Sequence, residues 1–263
     1  MTASPLILGH RGAMAYAPEN TLEAFELGAD QGADGMEIDI HATKDGVIVA
    51  IHDDTIDRTS NGTGRVSELT FAELRRLDFG TGNAGDYAGA LIPTLDEIFD
   101  LVKRRSLVLN IEVKDIYPHD ATYGELARRA ADEVLRRGLN EQVFFSSFNH
   151  TSMAQLKISH PSVRTGLLHM MSLHEIGHYA ATTKADAIHP AQLAVTPETM
   201  EQARAANLRV NAWTMPAPFS SLSETEQIDQ LITAGVDSII TNIPDVAVAQ
   251  RAAAATLSAG VLV

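Results

Sequence analysis

The chain has 263 residues, 45% of them hydrophobic but only 5% aromatic, with no cysteine and a formal net charge of −14. That length fits a closed α/β barrel, which commonly runs to about 250 residues as one domain, with a core of aliphatic and alanine side chains. The charge excludes a protein built chiefly to grip nucleic acid or an anionic membrane, and the missing thiols exclude disulfides, zinc–thiolate sites, iron–sulfur clusters and thiol nucleophiles.

Short apolar runs alternate with amphipathic stretches along the whole chain. In order, strands are expected at 6–9, 35–41, 107–113, 142–146, 164–168, 187–190, 208–213 and 238–241. Helical patterns follow them at 20–31, 94–105, 123–137, 150–159, 172–182, 197–206, 224–234 and 244–254. Strand–helix alternation implies parallel strands with crossover helices, and eight repeats favour a (β/α)₈ TIM barrel. The segment 42–92 breaks the alternation with a β-like run at 47–51, a helical stretch near 70–76 and the Gly-rich FGTGNAGDYAG. It is expected as an insertion above the second strand of a single 1–263 domain. No apolar run approaches 18 residues, and the opening MTASPLILGHRGA lacks the pattern of a secretory leader. A soluble, cytoplasmic chain without stable membrane insertion is expected, with homo-oligomer formation left open.

The second strand, GMEIDIH, carries the most chemistry. Side chains alternate along a strand, so Met36, Ile38 and Ile40 share one face and Glu37, Asp39 and His41 the other. Carboxylates about 7 Å apart on one face are costly to bury without a compensating cation or donors; alone, they also fit the solvated face of an edge strand. Asp45-Gly46 reads as a two-residue hairpin turn, which pairs Asp39 with His52; a three-residue turn shifts that register by one. In the strand at 107–113, Asn110 and Glu112 share a face that Lys114 continues, and the residues fit either a site or an internal ion pair. The first strand ends in Gly9-His10-Arg11-Gly12, and an arginine there can clamp phosphate or carboxylate in a bidentate manner. Three carboxylates, two histidines, Arg11 and Lys114 thus fall at one barrel mouth. Oxygen donors without thiols specify one hard divalent cation, Mg²⁺ or Ca²⁺.

Several of these pieces recur as a set: His10-Arg11-Gly12 with Pro18–Thr21 (HRG–xxxxx–PENT), Glu37-x-Asp39, HDxTxxRTxxGxG from His52 to Gly64, IEVK at 111–114, and the later VNAWT and GVDSIITNIP. The chain resembles the glycerophosphodiester phosphodiesterase family over its whole length. The resemblance implies a TIM barrel with an insertion after the second strand, Glu37, Asp39 and Glu112 as ligands of a divalent metal, and His10 and His52 as the acid–base pair. It further implies that Arg11 and Lys114 contact phosphate, and that Phe148 and Trp213 are aromatic groups near the pocket. The implied partner is a small glycerophosphodiester and not a nucleic acid. Two departures bear on head-group preference: Met215-Pro216 and a Ser-rich stretch follow Trp213-Thr214, and Asn242 stands where Asp is frequent.

A competing motif is His174-Glu175-Ile176-Gly177-His178, a literal H-E-x-x-H of the kind zinc peptidases place on a helix. Glu198 stands within range of a third ligand. Against it, Gly177 makes a poor helix, and Ala181 and Lys184 occupy the positions that the extended motif gives to Gly and His. Glu198 also reads as the acidic first turn of a helix opened by Thr196-Pro197. A third class, a catalytically silent ligand-binding barrel, is disfavoured by the full set of acid, base and metal groups.

Overall fold

The structure, a computed structural model, describes residues 4–81, 86–115 and 124–260. Its strands are β1 (Leu6–His10), β2 (Gly35–Ala42), β3 (Ile48–Ala50), β4 (Val108–Val113), β5 (Val143–Ser147), β6 (Arg164–His169), β7 (Ala187–Pro190), β8 (Arg209–Trp213) and β9 (Ser238–Thr241). All but β3 are parallel. They close in the order β1-β2-β4-β5-β6-β7-β8-β9 and back to β1, an eight-stranded barrel, while β3 adds antiparallel to β2. The helices are α1 (Leu22–Asp30), α2 (Phe71–Leu74), α3 (Leu95–Arg105), α4 (Glu125–Arg136), α5 (His150–Ser159), α6 (Ile176–Thr183), α7 (Pro197–Ala205), α8 (Glu224–Ala234) and α9 (Pro244–Gly260). Three expected features fall partly outside the described residues: Tyr123 at the start of one helical pattern, 82–85 of the Gly-rich piece and 261–263 of the tail. No helix among the described residues is long and apolar enough to cross a membrane.

Strand alternation sorts the side chains as the pleat requires. Met36, Ile38 and Ile40 join Phe25 of α1 and Ile98, Phe99 and Val102 of α3 in the shell between barrel and helices. A capping box of Thr94 and Glu97 opens α3, and Lys103, Arg104 and Arg105 in its last turn complement the helix dipole. Inside the barrel, Leu8, Phe144 and Ile240 form a small apolar layer against Trp213. His189 is fully buried, with its Nε2 2.9 Å from the Asn211 amide nitrogen. Gly166 makes room for it, since a Cβ there would lie 2.2 Å from that same nitrogen.

The hairpin differs from the two-residue reading. Ile40 pairs with Ala50 and Ala42 with Ile48, so Asp39 falls opposite Ile51, whose N–H donates to the Asp39 carbonyl at 3.0 Å. Thr43 causes the shift: its hydroxyl donates to Asp45 Oδ1 at 2.7 Å and accepts from the Val47 N–H at 2.9 Å. Gly46, at φ +82°, then closes a three-residue loop with a left-handed residue. Beyond β3 the insertion builds its own apolar cluster from Val49, Ile51, Ile56, Val66, Leu74, Phe79 and Ile92, which anchors the segment carrying His52.

Candidate active site

Two strand registers assemble the mouth. His10 and Glu37 are Cα partners across β1 and β2, and Asp39 and Glu112 are partners across β2 and β4. Glu37, Asp39 and Glu112 are all buried, and one carboxylate oxygen from each lies within 4.8 Å of the others. Lys114 reaches in to ion-pair with Asp39 Oδ1 at 2.9 Å and with Glu112. Arg11 Nε lies 3.1 Å from Asp39 Oδ2, and its Nη1 donates to Glu19 Oε1 at 2.9 Å.

These contacts act unequally on the carboxyl groups. Burial, then the adjacent Asp39 and Glu112 charges, pushes Glu37 well above the ordinary carboxylate range. Burial also raises Glu112, with Lys114 opposing. For Asp39 burial is outweighed by Lys114 and Arg11, which hold it far below. One atom stays uncompensated: Glu37 Oε1 is buried with no hydrogen-bond partner among the described residues. A buried, unpartnered carboxyl oxygen beside two further carboxyl groups is the arrangement a hard cation would complete. The acidic triad therefore fits a divalent ion.

Backbone strain helps to shape the site. Arg11 adopts φ +51° and Asn20 φ +56°, left-handed values uncommon for non-glycine residues. The Arg11 turn aims its N–H at Glu37 Oε2, 3.2 Å away. Asn20 clamps Asp39 twice, its Nδ2 donating to Oδ2 at 2.9 Å and its Oδ1 accepting from the Asp39 N–H at 3.2 Å. Gly9 follows from the same turn, because a Cβ there would approach the Gly12 carbonyl oxygen to 2.8 Å.

Each histidine has its own partner behind the ring. His10 Nδ1 lies 2.7 Å from Asn242 Oδ1, while its Nε2 faces Glu37 at 3.9 Å. Burial and the nearby Arg11 lower its pKa to about 4. His52 Nδ1 lies 2.6 Å from Asp53 Oδ1. Burial also lowers the His52 pKa, with the Asp39 charge opposing. Asp53 is tied through Arg58 to Glu19, and so back to Arg11. His41, on the same face of β2 as the acidic pair, approaches the His52 carbonyl at 3.2 Å through Nε2. On the far side of the mouth Phe148 and Trp213 meet edge to face, with ring centroids 6.2 Å apart.

Asn20, Glu19 and Asp53 carry no role that their residue types announce, although all lie inside the motifs above. Asn242 stands out in the sequence only as a departure from the family pattern, and Glu224 carries no local signal at all. The alternative zinc motif does not assemble. Glu175 sits at φ +50° as the N-cap of α6, so His174 precedes the helix and is 96% exposed instead of sharing a face with His178. Glu198 accepts from Gln202 within α7. Among the described residues the only cluster of three potential ligands is the acidic triad.

A family model for glycerophosphoryl diester phosphodiesterases matches residues 10–246. A glycerophosphodiester phosphodiesterase of Caldanaerobacter subterraneus subsp. tengcongensis is 36% identical over 243 residues, covering 91% of this chain and 95% of that one. One from Bacillus altitudinis is 34% identical over 93% of this chain and 97% of that one. Among solved structures, an Oleispira antarctica phosphodiesterase in complex with the product sn-glycerol-3-phosphate superposes with a TM-score of 0.82 at 26% identity, covering 94% and 96% of the two chains. A glycerophosphodiester phosphodiesterase from Agrobacterium tumefaciens gives 0.77 at 29% identity, covering 93% and 99%.

Proposed function

The chain belongs to the glycerophosphoryl diester phosphodiesterase family, and from that premise we propose that it hydrolyses glycerophosphodiesters to glycerol 3-phosphate and an alcohol, using His10 and His52 as base and acid. The observation that carries this reading is the mouth itself, where three buried carboxylates, two cationic side chains and two separately braced histidines converge. The product seen in the Oleispira antarctica relative supports the same bond cleavage. A net charge of −14 favours a small substrate over a polyanion.

Glu37, Asp39 and Glu112 would hold one divalent cation, Mg²⁺ or Ca²⁺ by the all-oxygen donor set. Bound there, it supplies Lewis-acid neutralisation of the phosphoryl charge. Arg11 and Lys114 add positive charge at the same place and orient the phosphate. Phe148 and Trp213 flank the part of the substrate that does not react.

The partners of the histidines support a division of labour. Asn242 Nδ2 donates to Glu224 Oε2 at 3.0 Å, which leaves its Oδ1 to accept from His10 Nδ1–H. His10 Nε2 is then a lone pair, suited to removing a proton. His52 is backed by the Asp53 carboxylate, which opposes the lowering that burial causes and would stabilise the imidazolium needed to protonate the departing alkoxide. The glycerol 2-hydroxyl is the nearest nucleophile to phosphorus within the substrate, and such intramolecular attack is worth an effective molarity of about 10⁵ M or more. His10 would deprotonate it, giving a cyclic phosphate that water then opens.

The test is turnover of glycerophosphocholine followed by ³¹P NMR after exhaustive dialysis against EDTA. Activity should be lost, and Mg²⁺ or Ca²⁺ should restore it with glycerol 3-phosphate as product. A 2-deoxy analogue should bind yet react at least 10³-fold more slowly. Full activity without metal removes the cation, and comparable hydrolysis of the analogue removes the cyclic route.

A further inference from the structure

The barrel has a second concavity at the end opposite the catalytic mouth. Residues at and near the first positions of its strands enclose about 170 Å³ there. Leu6 lines this cavity and opens β1, the strand that ends at the mouth with His10. Between the two ends stands the apolar layer of Leu8, Phe144 and Ile240. Bulky branched side chains usually fill every layer of such a barrel. Here Ala187 and Ser238, the first residues of β7 and β9, are too small to fill theirs.

Two guanidinium groups line the same space. Arg164, the first residue of β6, lies over the Phe144 ring with its Cζ 5.8 Å from the centroid. Its Nη2 donates to the Glu141 carbonyl at 2.6 Å, and its Nε is buried with no hydrogen-bond partner among the described residues. Arg209, the first residue of β8, ion-pairs with Asp237 at 3.8 Å, too long for a hydrogen bond. A guanidinium has five N–H donors, so both forks keep most of theirs for a ligand. Asp186 also lines the cavity, but Lys157 binds it at 2.7 and 2.9 Å. Glu141 and Asp237 then balance the two arginines, so an anion meets no local repulsion even though the chain carries −14.

We propose that this cavity is a second binding site, which takes a small aromatic monocarboxylate, its carboxylate on Arg164 and Arg209 and its ring against Leu6, Val108 and Phe144. Planar guanidinium forks match a carboxylate in geometry and charge. A cavity of about 150 Å³ admits benzene, so the volume here suits a single ring. The local balance of charge favours one negative charge over two, and the apolar wall disfavours a hydroxylated anion such as glycerol 3-phosphate. Binding at this end does not depend on the phosphodiesterase reading.

Calorimetric titration of the full chain with benzoate tests this. The wild type should bind one equivalent with a Kd of about 1 mM or tighter, and Tm should rise by about 3 °C at ten times that concentration. Benzyl alcohol keeps the ring without the charge, and inorganic phosphate keeps charge without the ring; each should bind at least about tenfold more weakly. Arg164→Gln and Arg209→Gln should each weaken benzoate binding at least about fivefold. The Arg209 side chain is 48% exposed, so its variant tests the site even if Arg164→Gln does not fold. Benzoate should leave the KM for glycerophosphocholine within about twofold, whereas an anion seated on Arg11 and Lys114 at ten times its Kd would raise KM about tenfold. No benzoate binding by the wild type, equal affinity for benzyl alcohol, or unchanged affinity in Arg209→Gln overturns the proposal. So does a KM that climbs in proportion to benzoate, which would place the anion at the catalytic mouth.

Discussion

Asn242 Oδ1 lies 2.7 Å from His10 Nδ1, a contact between residues 232 apart in the chain. Glu224, at the start of α8, fixes that amide by accepting from both the Asn242 backbone N–H at 2.7 Å and its Nδ2 at 3.0 Å. The same carboxylate also accepts from the Thr214 and Thr241 hydroxyls. His10 is thus held by a neutral group whose orientation is set from behind, and His52 by a carboxylate.

Replacing Asn242 by Asp should turn the first arrangement into the second. A carboxylate at Nδ1 favours the imidazolium, so the His10 pKa rises from about 4. A base must be neutral to act, and the acidic limb of kcat/KM should therefore move to higher pH by at least about one unit. A pH–rate profile with an unmoved limb would separate Asn242 from the ionisation of His10.

The H-E-x-x-H segment should be dispensable. His174→Ala and His178→Ala should leave glycerophosphocholine hydrolysis within a few-fold of the wild type, because the backbone turn at Glu175 keeps His174 off the helix. Loss of that hydrolysis in both variants, with zinc retained by the wild-type protein, would place the metal chemistry at the H-E-x-x-H segment instead.

Gly166 and His189 make a stability prediction. A methyl at Gly166 would collide with a fully buried ring, so Gly166→Ala should cost about 1–3 kcal/mol. Burial lowers the His189 pKa from 6.5 to about 3. The folded state therefore binds fewer protons than the unfolded chain below pH 6.5, and stability falls with falling pH across that window by up to about 1.4 kcal/mol per pH unit. Urea unfolding of His189→Gln between pH 6.5 and 4 should show a slope shallower than wild type by close to one proton. Equal slopes would mean that His189 titrates alike in both states.

The fold was legible because parallel strands buried on both faces write their pattern locally, and all eight barrel strands lie where short apolar runs occur. Glu37, Asp39 and Glu112 were legible for a related reason: charged residues spaced by two inside apolar strands must face the barrel axis. The β2–β3 register was not, because Asp45-Gly46 alone signals a two-residue turn and the extra residue depends on the Thr43 hydroxyl. Asn242 and Glu224 act on His10 through tertiary contacts that no local window contains. The helix at α6 starts late because Glu175 takes a left-handed conformation that its residue type does not announce.

The division of labour between His10 and His52 is tested most directly by changing the leaving group. Glycerol 3-(4-nitrophenyl phosphate) loses a stable phenolate that needs no proton, whereas the alkoxide leaving glycerophosphocholine does. His52→Ala should lose at least 10²-fold in kcat on glycerophosphocholine, the usual scale of acid–base catalysis, but stay within about tenfold of wild type on the nitrophenyl ester. His10→Ala should lose at least 10²-fold on both. The reverse pattern would exchange the two roles, and equal losses for His52→Ala on both substrates would contradict its assignment as the acid.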